Sequence, residues 1–248
     1  MAVSEKMLSD AGYEKLNEGD EWKLSDGRGY YVTRNGSSII AFRIPAGGFR
    51  GFMITASHCD SPCFKVKENA EMVSDDYIRL SVEGYGGMIY STWLDRPLSV
   101  AGRVFVKTEK GVQSRLVDFK ENIAIIPNVA IHMNRDVNKG FSYNPAVDLQ
   151  PVLGAENKEG VFRRLLAETA GVTEDELVST DVFIYNPQRG VQWGDFISAP
   201  RLDDLQCAYS SIMAFLTSGE GMSAPVCCIF DNEDVGSRTK QGAASTFL

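Results

Sequence analysis

Short apolar runs and polar turns alternate along the chain from its start. Apolar residues at helical spacing predict a helix over residues 3–11, which a glycine then ends. Residues 29–33 and 38–43 alternate in the manner of two strands around Asn35-Gly36, a dipeptide typical of tight hairpin turns. The first part of the chain is therefore predicted to be a helix followed by a β-hairpin.

Two further apolar runs lead directly into polar clusters. Residues 51–57 predict a buried strand that runs into His-Cys-Asp at 58–60, and residues 225–230 predict a second one that runs into Asp-Asn-Glu-Asp at 231–234. An amphipathic helix is predicted at residues 202–216, just before the second strand. Because α/β enzymes place their chemistry at the ends of buried strands, both clusters are candidate functional sites.

Between these two halves, the pattern is mainly that of strands. Six segments have strand character, namely residues 77–82, 88–91, 99–107, 112–117, 123–126 and 181–185. Two helices are predicted in the same stretch, one over residues 161–169 and one beginning at Thr173, where Glu176 completes a capping box.

We therefore predict an α/β fold whose catalytic part comes in two pieces of sequence. The pieces are residues 1–93 and 194–248, and a β-rich insertion covers residues 94–193. Neither an internal repeat nor a low-complexity linker marks the joins.

Composition narrows the class of protein. The chain has 248 residues, of which 44% are hydrophobic and 23% charged, as in ordinary globular proteins. A net charge of −8 argues against nucleic acid as a partner. No apolar run approaches the ~20 residues needed to span a bilayer, and the N-terminus lacks the apolar centre of a signal peptide. The five cysteines show no disulfide or zinc spacing, which favours a reducing, cytoplasmic location.

The first cluster suggests a metal ligand. A ligating imidazole commonly has its other ring nitrogen held by a carboxylate, so His58 is a candidate ligand and Asp60 its orienting group. Such a pair, taken alone, is more often incidental. Asp203 and Asp204, at the start of the predicted helix, are explained equally by the helix dipole. The functional alternative is that one of the two carboxylates bridges two metal ions.

The second cluster gathers Asp231, Glu233 and Asp234 within four residues. A solvated turn explains this pattern as well as a functional site does. A bound cation would offset the repulsion among the acids and leave one carboxylate free as a general base. Two divalent ions ~3.5–4 Å apart can polarise a carbonyl and lower the pKa of a shared water.

Together these segments resemble a known family. TASHCDSP, APRLDDLQ and DNEDVGSRTKQGA, in that order, are similar to the aspartyl aminopeptidase family of co-catalytic zinc exopeptidases. AVSEKMLSDAGY, YYVTRNGSSIIAF, YSTWLDRPLSVAGRV and IPNVAIHMNR are also typical of it, so the resemblance covers essentially the whole chain. It implies a zinc-exopeptidase-like mixed sheet with helices and an inserted β-rich dimerisation domain. The implied activity is hydrolysis of the N-terminal residue, acidic or neutral, of peptides.

The resemblance also implies cofactors and residue roles. A complete site would hold two Zn²⁺, with Mn²⁺ or Co²⁺ as possible substitutes. The implied metal ligands are His58, Asp203 and Asp234, and the implied catalytic residues are Glu233, Asp60 and His132. Asp203 would bridge the metals, Asp60 would orient His58, and Glu233 would be the general base. His132 matches a histidine that enters the active site of a neighbouring subunit, which implies a homo-oligomer.

One departure from the family leads us to expect an incomplete catalytic domain. Family members continue well past Leu248, and the additional stretch should supply an Asp for the zinc held by His58 and a His for the zinc held by Asp234. Three explanations are open: a fragment of an active enzyme, which we favour; a truncated, inactive relative; or an assembly module acting through the β-rich insertion.

Overall fold

The computed structural model describes residues 1–74, 76–155 and 158–248. The helices in this part of the chain are α1 (Ala2–Asp10), α2 (Pro145–Asp148), α3 (Val161–Ala170) and α4 (Leu202–Thr217). The strands are β1 (Glu14–Leu16), β2 (Gly29–Arg34), β3 (Ser38–Arg43), β4 (Phe52–His58), β5 (Cys63–Val73), β6 (Ile78–Tyr85), β7 (Pro97–Thr108), β8 (Gly111–Asp118), β9 (Ala124–Ile125), β10 (Val152–Gly154), β11 (Leu177–Tyr185), β12 (Val191–Trp193), β13 (Phe196–Ser198) and β14 (Ala224–Phe230). No helix among the described residues is both long and apolar enough to cross a membrane.

The chain divides into two compact units, and the first is discontinuous in sequence. It combines Met1–Ser61 with Arg201–Leu248, and the second unit is Pro62–Pro200. The second unit starts earlier than the predicted insertion at residues 94–193, because β5 and β6 pair with each other and β5 pairs with β11. Residues 62–93, which we placed in the first catalytic piece, therefore belong to the second unit, where they contribute β5 and β6 to its sheet.

A five-stranded sheet in the order β1-β2-β3-β14-β4 forms the first unit. The β2–β3 hairpin is antiparallel, and Asn35 and Gly36 at its turn both have positive φ, as the sequence predicted. β14 is central, running antiparallel to β3 and parallel to β4. Its side chains are almost all buried, so the second predicted buried strand is confirmed.

Apolar clusters cover both faces of this sheet. One cluster joins α1 and α4 to the sheet through Leu8, Tyr31, Ile39, Ala41, Ala208, Ile212, Phe215, Cys227 and Ile229. The other face carries Val32, Ile40, Val226, Cys228 and Phe230, packed against Phe42 and Phe247. Burial on both faces explains why β14 is an uninterrupted apolar run.

β4 differs from its prediction as a buried strand. The strand exists with nearly the predicted bounds, but Phe52, Met53 and Ile54 are all exposed. β4 lies at the end of the sheet and pairs with β14 alone among the described strands. An apolar run predicts a strand correctly but does not say how many neighbours the strand has.

The second unit is built on a seven-stranded sheet in the order β11-β5-β6-β10-β9-β7-β8. β11 also pairs with β7, so six of the strands close into a ring to which β8 is attached. The core inside this unit includes Phe64, Leu98, Val100, Val182 and Ile184. β5 was not predicted, because its residues CFKVKENAEMV include too many charges to show a clear apolar alternation.

Two other predictions for this unit were wrong in detail. Residues 88–91 were predicted as a strand, but Tyr90–Trp93 form a 3-10 helix. The helix predicted at Thr173 is a single 3-10 turn over Glu174–Glu176, although its capping box with Glu176 is present. Leu177 already begins β11, which leaves no room for a longer helix.

Gly102 is a point of close backbone approach in the second unit. Its φ is +154°, and a Cβ at this position would overlap the carbonyl oxygen of Asp181 in the paired strand β11. We expect Gly102→Ala to lower the free energy of unfolding by about 2–4 kcal/mol, through strain and overpacking. Urea-induced unfolding followed by circular dichroism measures the change. Gly154→Ala in β10, where a Cβ meets nothing within 4 Å, is the matched control; an equal effect of both substitutions would contradict the expectation.

Candidate metal centre

Three segments of the first unit meet at the carboxyl end of β4. His58 is the last residue of β4 and is in register with Phe230, the last residue of β14. Because the two strands are parallel, the polar residues that follow them, 59–61 and 231–234, leave the same edge of the sheet. The third segment is the start of α4, where the Asp204 carboxylate accepts the backbone N–H of His58 at 3.0 Å.

The imidazole of His58 lies among carboxylates. Its Nε2 is 3.5 Å from Asp203 Oδ1, 3.7 Å from Glu233 Oε2 and 3.9 Å from Asp204 Oδ2. Its Nδ1 is 3.3 Å from Asp60 Oδ1. Two overlapping groups of side chains present donor atoms close enough to share an ion: His58 with Asp60 and Asp234, and His58 with Asp203 and Asp204.

Asp60 faces His58 and also holds the acidic turn, by which we mean residues 231–234. Its two carboxylate oxygens accept the backbone N–H groups of Glu233 at 3.2 Å and of Asp234 at 3.1 Å. The Asp60 side chain itself is only 7% exposed. One carboxylate thus holds the backbone of both acids in the neighbouring loop and lies 3.3 Å from His58 Nδ1, which has no hydrogen-bond partner among the described residues.

The start of α4 is not helical at the two aspartates. Asp203 has ψ 111°, and Asp204 also departs from helical angles, so neither lies in a first helical turn as the sequence suggested. Asp203 is 93% exposed, whereas the Asp204 side chain is largely covered. This local geometry brings both carboxylates within 4 Å of His58 Nε2, and Asp204 also accepts the backbone N–H of Cys207 at the start of the helical part of α4.

The contribution of Asp204 was not predicted from the sequence. Burial acts to raise its pKa, but hydrogen bonds from Cys207 and from the His58 amide, with the charge of His58, leave that pKa below its usual value. Asp204 is therefore an ionised carboxylate that holds the end of β4. The adjacency of two aspartates was the available signal, but it did not distinguish their roles.

A polar network holds the turn before Glu233. Asn232 has φ +63°, and its side-chain oxygen accepts hydrogen bonds from Thr239 Oγ1 and Gln241 Nε2, both at 2.7 Å. The carbonyl of Gln241 in turn accepts the Ser38 hydroxyl at 2.6 Å in a buried contact. These residues tie the acidic turn to the β2–β3 hairpin. They lie within the motifs DNEDVGSRTKQGA and YYVTRNGSSIIAF, but no role was predicted for them from the sequence.

Electrostatics favour a cation at this site. Burial, followed by the charge of Asp60, raises the pKa of Asp234 from 3.8 to about 6. Asp234 Oδ2 is buried without a hydrogen-bond partner among the described residues. Burial alone would lower the pKa of His58, but the surrounding carboxylates, Asp60 and Asp204 foremost, raise it. A metal ion would relieve the repulsion and give the buried oxygen a partner.

The donor set suits zinc. Neutral imidazole and carboxylate oxygens are among the ordinary ligands of Zn²⁺ in proteins. The family resemblance assigned roles to six residues, and the structure brings five of them together: His58, Asp60, Asp203, Glu233 and Asp234. The sixth, His132, belongs to the second unit and lies on an exposed turn.

Known proteins that are similar to this chain also include zinc metalloproteases. The model of the family described as "Aminopeptidase I zinc metalloprotease (M18)" matches residues 1–248. The chain belongs to the M18 family. The resemblance inferred from the sequence motifs and the mixed α/β fold class are both confirmed.

The chain matches only part of the length of individual M18 proteins. It is 42% identical over 253 residues to a probable M18 family aminopeptidase 2 of Clostridium acetobutylicum, a match that covers 97% of the chain and 58% of that relative. In the structure of the Ape4 and Nbr1 complex, the match has a TM-score of 0.92 at 31% identity and covers 100% of this chain and 54% of that one. The M18 chain therefore spans little more than half the length of its relatives.

An oligomeric M18 protein is also similar. The Saccharomyces cerevisiae mApe1 dodecamer matches with a TM-score of 0.78 at 27% identity, covering 98% of this chain and 58% of that chain. Since the relatives are named M18 family aminopeptidases, the family is one of metallohydrolases.

Proposed function

We propose that this M18 chain is the zinc-binding part of an aminopeptidase that removes one N-terminal residue, acidic or neutral, from peptides. The observation that carries the proposal is the position of His58 Nε2, within 4 Å of carboxylates from two other loops. A binding site for a divalent cation is the simplest use of one imidazole ringed by acids.

Each residue has a distinct part in this proposal. His58, Asp203 and Asp234 would hold the metal, with Asp203 shared between two zinc ions in a complete site and Mn²⁺ or Co²⁺ as substitutes. Bound zinc supplies a polarising charge for the peptide carbonyl and lowers the pKa of a nearby water. Asp60 keeps His58 and the acidic turn in place through the contacts described above.

Glu233 is the proposed general base. Its side chain is 56% exposed and so accessible to a substrate, while its backbone is fixed by Asp60. A carboxylate in this position can take a proton from the attacking water and deliver it to the leaving amine, which peptide hydrolysis requires.

We also propose that the protein is a homo-oligomer in which His132 serves a neighbouring site. His132 lies on an exposed turn flanked by two exposed apolar residues, Ile131 and Met133, as a contact surface between subunits would be. The dodecameric state of the similar mApe1 supports this proposal. The second unit, in this view, is the β-rich module that mediates the contact.

The alternative is an assembly module without catalytic activity. It is favoured by the composition of the metal centre, which among the described residues offers a single imidazole and otherwise only carboxylates. Under this alternative the chain would oligomerise but would not hydrolyse peptides at any zinc concentration.

One assay separates these proposals. Peptides that differ only in their N-terminal residue are incubated with the protein in the presence of zinc or manganese, with and without a chelator. We expect release of the N-terminal residue that the chelator abolishes. Chelator-resistant activity in a protein of near-zero zinc content would exclude the zinc mechanism, and oligomers without turnover would favour the assembly module.

A further inference from the structure

We propose that a cavity in the second unit is a binding site for a small oxyanion, a phosphate or carboxylate group, held by Arg96 and Arg189. The cavity has a volume of about 250 Å³. All of its lining residues belong to the second unit, whereas every residue of the metal centre belongs to the first. Binding of an anion here would therefore be independent of the proposed peptidase activity.

The pairing of two strands brings part of the cavity lining together. β7 and β11 are antiparallel, with Ser99 of β7 in register with Tyr185 of β11. Arg96 immediately precedes β7, and Asn186 immediately follows β11. Because the start of one antiparallel strand lies beside the end of its partner, both residues lie at the same end of the sheet. Arg189 follows Asn186 by three positions and lines the same cavity.

The base of the β12–β13 hairpin also contributes to the cavity. Its first and last residues, Val191 and Ser198, are paired with each other. A Cβ on Gly190 would lie 3.1 Å from the Cβ of Ala199, so the chain entering the hairpin runs close to the chain leaving it. This close approach places Arg189 and Ser198 at one cavity. The lining thus combines two strand ends with the base of a hairpin.

The polar side chains of the lining are suited to an anion. They are two guanidinium groups, the amides of Asn186 and Gln188, and the hydroxyl of Ser198, all of which can donate hydrogen bonds. None of the described residues that line the cavity is an aspartate or a glutamate. The side-chain oxygen of Asn186 accepts the backbone N–H of Gln188 at 2.7 Å, which leaves its NH₂ group to donate to a ligand.

Neither arginine of the cavity is neutralised within the described part of the chain. No hydrogen bond or ion pair joins the guanidinium of Arg96 or Arg189 to another described residue. The acid next to Arg96, Asp95, accepts the backbone N–H of Asn128 at 2.8 Å instead. The chain as a whole has 33 acidic and only 25 basic residues. Two unpaired positive charges at one acid-free cavity are therefore unlike the rest of the molecule.

Arginines elsewhere in the chain show the usual alternative. Arg34 donates to the Glu18 carboxylate at 2.6 Å, and Arg103 lies 3.7 Å from the Asp181 carboxylate. A ligand with an oxyanion would give Arg96 and Arg189 the kind of partner that these arginines have within the protein.

The chemistry of the guanidinium group defines the class of ligand. Its planar donors match the oxygens of carboxylate and phosphate, and such charge-assisted hydrogen bonds are stronger than neutral ones. A cation would be repelled, and a neutral ligand would leave both charges without a partner. The volume lies just below the roughly 300–1,000 Å³ that is typical of pockets for drug-sized molecules. The site therefore fits a small organic acid or a phosphate compound.

Thermal unfolding of the 248-residue chain tests the proposal. Metal is first removed with a chelator, which is then dialysed away because common chelators are themselves carboxylates. Inorganic phosphate, succinate or chloride is added at equal ionic strength. Phosphate or succinate, unlike chloride, should raise the unfolding midpoint in a saturable manner, because a ligand that binds only the folded state stabilises it. The anion that acts at the lower concentration identifies phosphate or carboxylate as the preferred group.

Three variants make the test specific. Arg96→Gln and Arg189→Gln should each weaken the affinity for that anion by about tenfold or more, because each removes a charged donor. The control is Arg164→Gln, which removes the same charge at an exposed position on α3 of the same unit, outside the cavity lining. This control should bind the anion as the parent chain does, since general screening of surface charge is the same in all three variants.

A second measurement needs no variant and so does not depend on the folding of one. Phenylglyoxal modifies accessible arginine side chains, and Arg96 and Arg189 are both exposed. Saturating phosphate or succinate should slow their modification in the parent chain and leave that of Arg164 unchanged, as followed by mass spectrometry of peptides.

The results that would overturn the proposal concern the same quantities. They are the absence of a saturable effect of either anion, an affinity that is kept in both cavity variants, and equal protection of Arg164 from phenylglyoxal. If a cavity variant proves unfolded by circular dichroism, the labelling of the parent chain decides the question.

Discussion

Replacing Glu233 with glutamine should lower peptidase turnover by about 10²–10⁴-fold, the usual contribution of a positioned general base. Glutamine keeps the size of the side chain and cannot accept the proton of the attacking water. Its backbone amide can still donate to Asp60, so the acidic turn should stay in place. The measurement is the rate of release of an N-terminal residue by a complete protein that contains this chain, with zinc affinity measured in parallel.

Zinc affinity distinguishes a catalytic role from a structural one. Glu233→Gln should leave it almost unchanged, because Glu233 is proposed as a base and not as a ligand. The matched control is Glu220→Gln, an exposed acid elsewhere in the first unit, which should alter neither quantity. Near-normal turnover in Glu233→Gln would remove the residue from its proposed role.

The second large effect is expected on the affinity of the chain for zinc. His58→Ala should weaken zinc binding by about 100-fold or more, since changes to groups that merely orient a ligand already cost 10–100-fold. His58 is the one imidazole in the cluster and lies within 4 Å of Asp203, Asp204 and Glu233. Isothermal titration of the metal-free 248-residue chain with zinc measures the affinity without any need for activity.

The chain contains a matched control for this substitution. His132 is the only other histidine, and it lies on an exposed turn of the second unit. His132→Ala should therefore bind zinc as the parent chain does. Equal losses in the two variants, or an unchanged affinity in His58→Ala, would contradict the assignment of His58 as the ligand.

Local signals predicted much of the fold. The turn at Asn35-Gly36 and the buried strand β14 were both predicted correctly. A tight hairpin turn requires particular residues, and a strand buried on both faces requires an uninterrupted apolar run, so both are recognisable in the sequence. The capping box at Thr173 was also correct, but it belongs to a single 3-10 turn. A cap predicts where a turn begins and carries no information on its length.

The predictions that were wrong concern burial and unit boundaries, which depend on contacts between segments that are distant in sequence. β4 has the apolar composition of a buried strand, yet its burial depends on what lies beside it, which composition does not encode. The boundaries of the second unit were misplaced for a related reason. Pairing of β5 with β11 joins segments more than a hundred residues apart, and periodicity within each segment cannot reveal that contact.

The candidate site was predicted through residue types, not through geometry. Motif order brought His58, Asp203 and the acidic turn to attention, and the structure places them together. The contributions of Asp204 and Asn232 were missed because both act by holding backbone. Asp204 accepts the His58 amide, and Asn232 adopts a positive φ that its side-chain hydrogen bonds support. Such roles depend on a local conformation and leave no distinctive spacing.

The central position of β14 has a consequence for how the protein is made. β14 lies between β3 and β4, although the ribosome adds it more than a hundred and sixty residues after β4. Among the strands that the structure describes, β14 alone pairs with β4, so β4 lacks this partner until β14 emerges, by which time the whole second unit has been synthesised. Because compact units tend to fold as they emerge, we expect the second unit to fold first on the nascent chain. Aggregation is then most favoured in the interval between the emergence of β4 and the emergence of β14, while β4 lacks this neighbour.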